Sequence, residues 1–210
     1  MPPRLLHVGA EAEVRRGDWC RLDAVFKVRV PLRYRLPQLD VAIRRHRTLR
    51  EADMLRRARR AGVATPRLYC VEPAAATLVM EYVKGRRLKE AAESKGHQLG
   101  AFGQLGEAVG FLHRSGVVHG DLTTANVILR SGSCVLVDFG LSHQSFKVED
   151  HAVDLRLIKE SITGAHNSIS RGALDRVFRG YAKAVGPRRA AAVMKQLRVI
   201  EMRGRYARVE

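Results

Sequence analysis

Two hundred and ten residues with 38 lysines and arginines against 21 acidic residues give a net charge of +17 and an isoelectric point near 10.8, with room for one large core or two small lobes. Three cysteines (Cys20, Cys70, Cys134), odd in number and without CxxC spacing, argue against a disulfide framework or a zinc site and fit a reducing compartment. No stretch approaches the roughly 18 apolar residues of a membrane span and no charged segment precedes an apolar run at the start, so a soluble, cytoplasmic protein with no membrane partner is expected.

In chain order, Leu5–Gly9, Ala12–Arg16 and Ala24–Val30 read as strands of an antiparallel meander, with turns expected at Gly9–Glu11 and Gly17–Asp18. A proline-bounded loop, Pro31–Pro37, precedes a helix that Asp40 would cap and Gly62 would stop, with a break near His46–Thr48. Thr77–Tyr82 is a further strand, and Val83–Arg86 a linker. The chain thus divides into a sheet-and-helix lobe, 1–83, and a mostly helical lobe, 84–210, an α+β architecture. In the second lobe Leu99, Phe102, Leu105, Val109 and Leu112 recur at helical spacing up to Gly116. Beyond residue 140, Glu149–Ile162, Gly172–Val185 and Pro187–Met202 are amphipathic helices, and the polar tail RGRYARVE should be exposed.

The segment HGDLTTANVILRSGSCVLVDFG, His119 to Gly140, carries the chemistry. Two short β-branched runs, Val127–Arg130 and Cys134–Val137, flank Ser131, Gly132 and Ser133 and read as a hairpin. If those three residues are the turn, Val127 faces Val137, Ile128 faces Leu136 and Asn126 lands opposite Asp138. An amide oxygen and a carboxylate side by side suit Mg²⁺, which keeps several waters and takes substrate phosphates for the rest. Asp121, in the loop before, would accept or orient the proton of an attacking hydroxyl or water. Six specified residues (His119, Asp121, Asn126, Asp138, Phe139, Gly140) make chance coincidence negligible, with His119 and Phe139 read as packing residues. A domain that binds nucleotide without turning it over remains the alternative.

Other positions complete a nucleotide site. Lys27 lies in the apolar strand VFKV, and Glu51 shares a helix face with Met54 and Leu55, so its inward carboxylate needs a cation. Lys27 is the expected partner, and the pair would aim the lysine at the α- and β-phosphates. Val8, Gly9, Ala10, Glu11 and Ala12 stand where a glycine-rich phosphate cover belongs, although Glu11 and Glu13 bring negative charge there. Met80, Glu81 and Val83 occupy the linker position whose backbone would meet an adenine edge. Asp154, in EDHAVDL, reads as a structural carboxylate that accepts amides of the Asp121 loop. The basic excess concentrates in two blocks: eight arginines and two acids in 44–60, and nine basic residues and two acids from 179 to the end. Such fields attract polyanions such as nucleic acid, the alternative being a solvated helix face and a flexible tail.

With Lys27, Glu51, HGDLTTAN and DFG in order, the chain resembles the protein-kinase-like superfamily over nearly its full length. VGAEAEV, KVRVPLRYRLPQLD running into RTLREADML, HGDLTTAN and EDHAVDL together resemble the small atypical kinase subunit of the KEOPS complex, which assists threonylcarbamoyladenosine formation in tRNA. The resemblance implies a minimal bilobal protein-kinase-like fold with an antiparallel-sheet N-lobe and a mostly helical C-lobe. It implies ATP and Mg²⁺ as cofactors, and the threonylcarbamoyl-transferring subunit and other KEOPS subunits as partners. It also implies activity as a self-phosphorylating serine/threonine kinase and ATPase. Carried over by position, Lys27 and Glu51 anchor phosphates, Asp121 is catalytic, and Asn126 with Asp138 holds the metal. Arg203, Arg205 and Arg208 of the tail would contact the partner subunit or tRNA.

Two departures from ordinary protein kinases narrow the expectation. Gly120 stands where an arginine would pair with a phosphorylated activation loop, so activation by loop phosphorylation is not expected. Only about ten residues separate Gly140 from the next helix and no APE motif follows, so the usual platform for a peptide substrate is missing. Water or a residue of the protein itself is then the simpler acceptor. A small-molecule kinase and a non-enzymatic scaffold binding nucleotide and tRNA are the alternatives.

Overall fold

The computed structural model describes residues 3–93, 99–165 and 170–206. The chain forms two compact units, Met1–Arg56 with Pro66–Val83, and Arg57–Thr65 with Lys84–Glu210. Residues 57–65 count with the second unit, where the Leu136 amide donates to the Ala64 carbonyl at 2.9 Å.

The first unit is built from β1 (Arg4–Val8), β2 (Ala12–Trp19), β3 (Leu22–Arg29), α1 (Pro37–Arg60), β4 (Leu68–Glu72) and β5 (Thr77–Glu81). The strands form one antiparallel sheet in the order β1-β2-β3-β5-β4. The expected turn at Gly17–Asp18 is instead part of a continuous ladder, in which Gly17 pairs with Ala24 and Trp19 with Leu22. Cys20 and Arg21, both at positive φ (51° and 66°), make the two-residue turn, and the Asp18 carboxylate accepts the Arg21 amide at 3.1 Å. Neither residue belongs to the Asn/Gly set that marks such turns, which is why the sequence misplaces it.

Helix α1 begins at Pro37, whose fixed φ and missing N–H suit a first turn, and not at Asp40. Asp40 lies one turn inside, nearly fully buried, and its carboxylate accepts Arg44 Nε (2.7 Å) and the Leu32 amide (3.3 Å), folding the preceding loop onto the helix. No break occurs at His46–Thr48, because the Thr48 hydroxyl donates to the Arg44 carbonyl at 2.8 Å and so satisfies itself within the helix. Ala52 of α1 packs with Leu78 and Met80 of β5 and with Val25, Leu68 and Val71. Strand β4 carries no periodic apolar signal, since all five residues are half-buried.

The second unit contains β6 (Arg86–Arg87), α2 (Leu88–Glu93), α3 (Leu99–Arg114), β7 (Val117–Val118), a 3₁₀ turn (Thr124–Asn126), β8 (Val127–Arg130), β9 (Ser133–Leu136), β10 (His143–Gln144), α4 (Val148–Ala165), α5 (Ser170–Val185) and α6 (Pro187–Tyr206). Phe102, Leu105, Val109 and Leu112 of α3 are all buried, each contributing roughly 1.5–3 kcal/mol on burial. Backbones of α3 and α5 touch directly: a Cβ on Gly106 would lie 2.0 Å from the Val177 carbonyl oxygen, and one on Gly180 2.1 Å from that of Gly103. Burial pushes the Cys134 thiol, which donates to the Ala101 carbonyl at 3.2 Å, up to about 12.

The β8–β9 hairpin corrects the expected register by one residue. Its turn is Ser131–Gly132 alone, both at positive φ (49° and 80°), so Val127 pairs with Leu136 and Arg130 with Ser133. Asn126 therefore faces Val137, whose amide donates to the Asn126 carbonyl at 3.0 Å, and not Asp138. A slip of one exchanges the faces of every side chain, so Asn126 and Asp138 are not cross-strand neighbours. No helix among the described residues is long and apolar enough to cross a membrane.

Candidate active site

The loop after β7 is held by one buried carboxylate on α4. Asp154 Oδ2 accepts the His119 amide at 2.7 Å and Oδ1 the Gly120 amide at 2.8 Å, while His113 Nε2 lies 3.2 Å from Oδ2. Asp154 is wholly buried. Burial alone would raise its pKa, but the hydrogen bond and charge of His113 and the hydrogen bond from the His119 amide outweigh it and hold the carboxyl below the usual range. Seven residues further along α4, Ser161 Oγ accepts the Thr124 amide at 2.9 Å and lies 3.0 Å from the Thr124 hydroxyl. One helix thus braces both ends of the loop, two turns apart. Sequence reasoning anticipated the role of Asp154 but not that of Ser161, whose spacing from Asp154 on one helix face was the available signal.

His119 is a hub rather than mere packing. It is fully buried and stacks at a tilt on Phe139, the ring centroids 4.7 Å apart. Burial lowers its pKa, so the ring is neutral. Nε2 then donates to the Val137 carbonyl at 3.1 Å and Nδ1 accepts the Asp121 amide at 3.3 Å, an assignment that uses both nitrogens of one tautomer.

Asp121 and Asn126 are locked together. Asn126 Nδ2 donates to both the Asp121 backbone carbonyl and its Oδ2, each at 2.9 Å. That fixes the amide's orientation, leaving Asn126 Oδ1 and Asp121 Oδ1 as the two oxygens without a partner among the described residues. Asp138 is exposed and in the left-handed region (φ 63°), its Oδ1 accepting the Gly140 amide at 3.3 Å. This left-handed conformation, uncommon for a non-glycine residue though less so for aspartate, turns the chain after β9. Gly120 sits at φ 80°, and a Cβ there would lie 2.6 Å from the Leu141 carbonyl oxygen, so no side chain fits.

In the first unit Lys27 Nζ lies 2.6 Å from Glu51 Oε1. The sequence missed a second cation: Arg29 NH2 lies 2.6 Å from Glu51 Oε2. Position 29 is two beyond Lys27 on β3, hence on the same face, which was the signal for it. The β1–β2 turn is closed by the Gly9 amide donating to the Ala12 carbonyl at 2.8 Å. The negative charge expected there is neutralised: Glu11 pairs with Arg35 (2.7 Å) and with Arg47 of α1, and Glu13 with Arg15 (2.6 Å). Val8 and Ala10 are exposed. At the end of β5, Met80 is buried opposite Val25, the Glu81 amide donates to the Arg67 carbonyl (2.8 Å), and Val83 is buried.

Residues 37–161, which include α1, the HGD loop and the β8–β9 hairpin, match the protein kinase domain family, and the chain belongs to that class. Solved structures agree at the level of fold. The Rio2 kinase of Chaetomium thermophilum in its ADP/Mg²⁺-phosphoaspartate complex superposes with a TM-score of 0.67 at 16% identity, covering 93% of this chain and 70% of that one. WaaP in complex with acyl carrier protein gives 0.63 at 16%, covering 95% and 88%. Within this class the chain belongs to the family of the KEOPS complex subunit Bud32, being 36% identical to the Pyrococcus abyssi subunit over 97% of this chain and 96% of that protein. It is also 39% identical, over 98% of its length, to a probable bifunctional tRNA threonylcarbamoyladenosine biosynthesis protein of Methanothermobacter thermautotrophicus, of which it spans only 37%.

Proposed function

We propose that the chain catalyses ATP-dependent phosphoryl transfer, as an ATPase and self-phosphorylating serine/threonine kinase, in support of threonylcarbamoyladenosine formation in tRNA by a cytoplasmic KEOPS assembly. The observation that carries this is the lock between Asp121 and Asn126, braced from α4 by Asp154 and Ser161. With Oδ2 held by Asn126, Asp121 Oδ1 is the atom that takes the proton of the attacking hydroxyl or water.

Asn126 Oδ1 and the Asp138 carboxylate are hard oxygens, and two such ligands suit Mg²⁺, which neutralises developing phosphate charge when bound. Lys27, oriented by Glu51, binds the α- and β-phosphates; Val8, Gly9, Ala10, Glu11 and Ala12 cover them; the backbone of Met80, Glu81 and Val83 meets the adenine. Residues 1–83 and 84–210 serve as N- and C-lobes of this one domain. Glu11 is no obstacle to a polyanion, because Arg35 and Arg47 already neutralise it. Gly120 leaves no room for the arginine of loop-phosphorylated kinases, which favours water or the protein's own serine and threonine as acceptors.

The name of the Pyrococcus abyssi relative, a KEOPS complex subunit, supports other KEOPS subunits as partners, among which we place the threonylcarbamoyl-transferring subunit, with tRNA as the further partner. Exposed Arg45, Arg56 and Arg60 of α1 and Arg203 of α6 supply cationic surface for the nucleic acid. Arg208, and the side chain of Arg205, lie outside the described residues. Pure protein incubated with γ-labelled ATP, with and without tRNA and the transferase subunit, tests the function. Labelled protein and free phosphate, increased by the partners, are expected. Transfer of label to a metabolite would indicate a small-molecule kinase, and nucleotide binding with neither product a scaffold.

A further inference from the structure

Glu51 is 2% exposed, yet it faces two cations, one on each oxygen. The two are not equivalent. Lys27 is the more accessible, with 12% of its side chain exposed against 7% for Arg29. Its ammonium is a compact charge on a flexible stem, whereas the Arg29 guanidinium is planar and pre-organised for a carboxylate. Arg29 is also tied at its backbone: its amide donates to the Ala76 carbonyl (3.0 Å) and its own carbonyl accepts from Arg44 NH1 (3.5 Å). Glu51 itself is fixed between buried neighbours Ala52, Met54 and Leu55 on α1.

We propose that Arg29 is the permanent counter-ion of Glu51 and a positioning residue for phosphate binding: it lets Lys27 exchange Glu51 Oε1 for a nucleotide phosphate without stranding a buried carboxylate. In a simple lysine–glutamate pair the ammonium is shared between carboxylate and phosphate, and every move toward the ligand weakens the only compensation the carboxylate has. Here Oε2 keeps its partner throughout, and the second cation beside Glu51 weakens its hold on Lys27 and raises the local field for an anion. The phosphate half of this inference rests on the nucleotide-binding function proposed above. The counter-ion half rests on geometry alone.

Two measurements on the full chain test it: thermal melting, and MgATP affinity by calorimetry with KM and kcat for phosphate release. Lys27→Met should melt within roughly 5 °C of wild type, because Arg29 still compensates Glu51, whereas Lys27→Met with Arg29→Met should fall by roughly 10 °C or more, and adding Glu51→Gln should restore most of the loss. Arg29→Met should weaken ATP binding by about tenfold and raise KM more than it lowers kcat. Arg29→Met with Glu51→Gln should regain affinity, since no carboxylate then competes for Lys27, and Arg29→Lys should retain part of it. A Lys27→Met variant that melts as low as the double variant, or an Arg29→Met variant with wild-type ATP affinity, overturns the proposal. Failure of the wild type to bind ATP refutes the nucleotide function instead, and the melting series still decides whether Arg29 is the counter-ion.

Discussion

Replacing Asp154 with alanine removes the acceptor of three donors, two of them buried: the His119 amide at 2.7 Å and His113 Nε2 at 3.2 Å, with the half-buried Gly120 amide at 2.8 Å. A buried donor left without a partner costs about 1–3 kcal/mol, and removing one member of a buried charged network about 3–5 kcal/mol. For a chain of this size that corresponds to a fall in Tm of roughly 6–20 °C. Asp154→Asn keeps the volume and one acceptor oxygen but points an NH2 group at an amide, so roughly half the loss is expected. Both variants should also lose phosphoryl transfer at temperatures where they are folded, by at least about tenfold, because the backbone that carries Asp121 loses its anchor. Melting followed by circular dichroism and label transfer measured well below Tm are the assays. An Asp154→Ala protein that melts within about 2 °C of wild type would show that the loop holds itself. The pH dependence has a definite sign: the folded pKa of Asp154 lies below its unfolded value, so its stabilisation is complete above about pH 4 and is lost as pH falls further.

Three other outcomes follow from the same geometry. Gly120→Arg should abolish activity and destabilise the fold, since a Cβ meets the Leu141 carbonyl at 2.6 Å and φ is 80°; a folded, active variant would contradict the close approach. His151 stacks on His113 at 4.0 Å, donates from Nε2 to the Ser145 carbonyl and accepts Arg189 at Nδ1, and burial followed by the His113 charge lowers its pKa to about 4. The unfolded chain therefore takes up its proton first, so stability should decline from pH 6.5 toward pH 4, less steeply in His151→Gln, as urea melts at several pH values would reveal. Affinity for tRNA should fall steeply with salt and weaken when Arg45, Arg56 and Arg60 are replaced by glutamine; binding indifferent to ionic strength would remove the electrostatic basis.

The residue types of the site were legible because each is short-range in sequence: His119, Asp121 and Asn126 sit in one loop, and Asp138 follows one hairpin later. What the sequence left hidden depends on backbone conformation and distant partners. The hairpin register turned on whether Ser131 and Gly132 form a two-residue turn, and a serine at positive φ gives no compositional warning. The same holds for Cys20 and Arg21, which displaced the expected turn from Gly17. Asp40 was anticipated as a cap because caps favour aspartate, but its charge is spent on Arg44 and on folding back the loop. Glu51 was recognised as inward from its helix face, and the two-residue spacing of Lys27 and Arg29 puts both cations on one face of β3, but that the longer guanidinium reaches the second carboxylate oxygen shows only in the packed structure. The glycines of α3 appear as ordinary helix residues until the α5 backbone is seen against them.

The most direct test compares Asp121→Asn with wild type. The substitution preserves shape and the oxygen that accepts from Asn126 Nδ2, but removes the carboxylate oxygen that would take the proton. Phosphate release and self-labelling with γ-labelled ATP, in the presence of the transferase subunit and tRNA, should fall by about 10²–10⁴-fold while Tm and ATP affinity stay near wild type. Turnover undiminished in that variant would contradict the assignment of Asp121 as the proton acceptor.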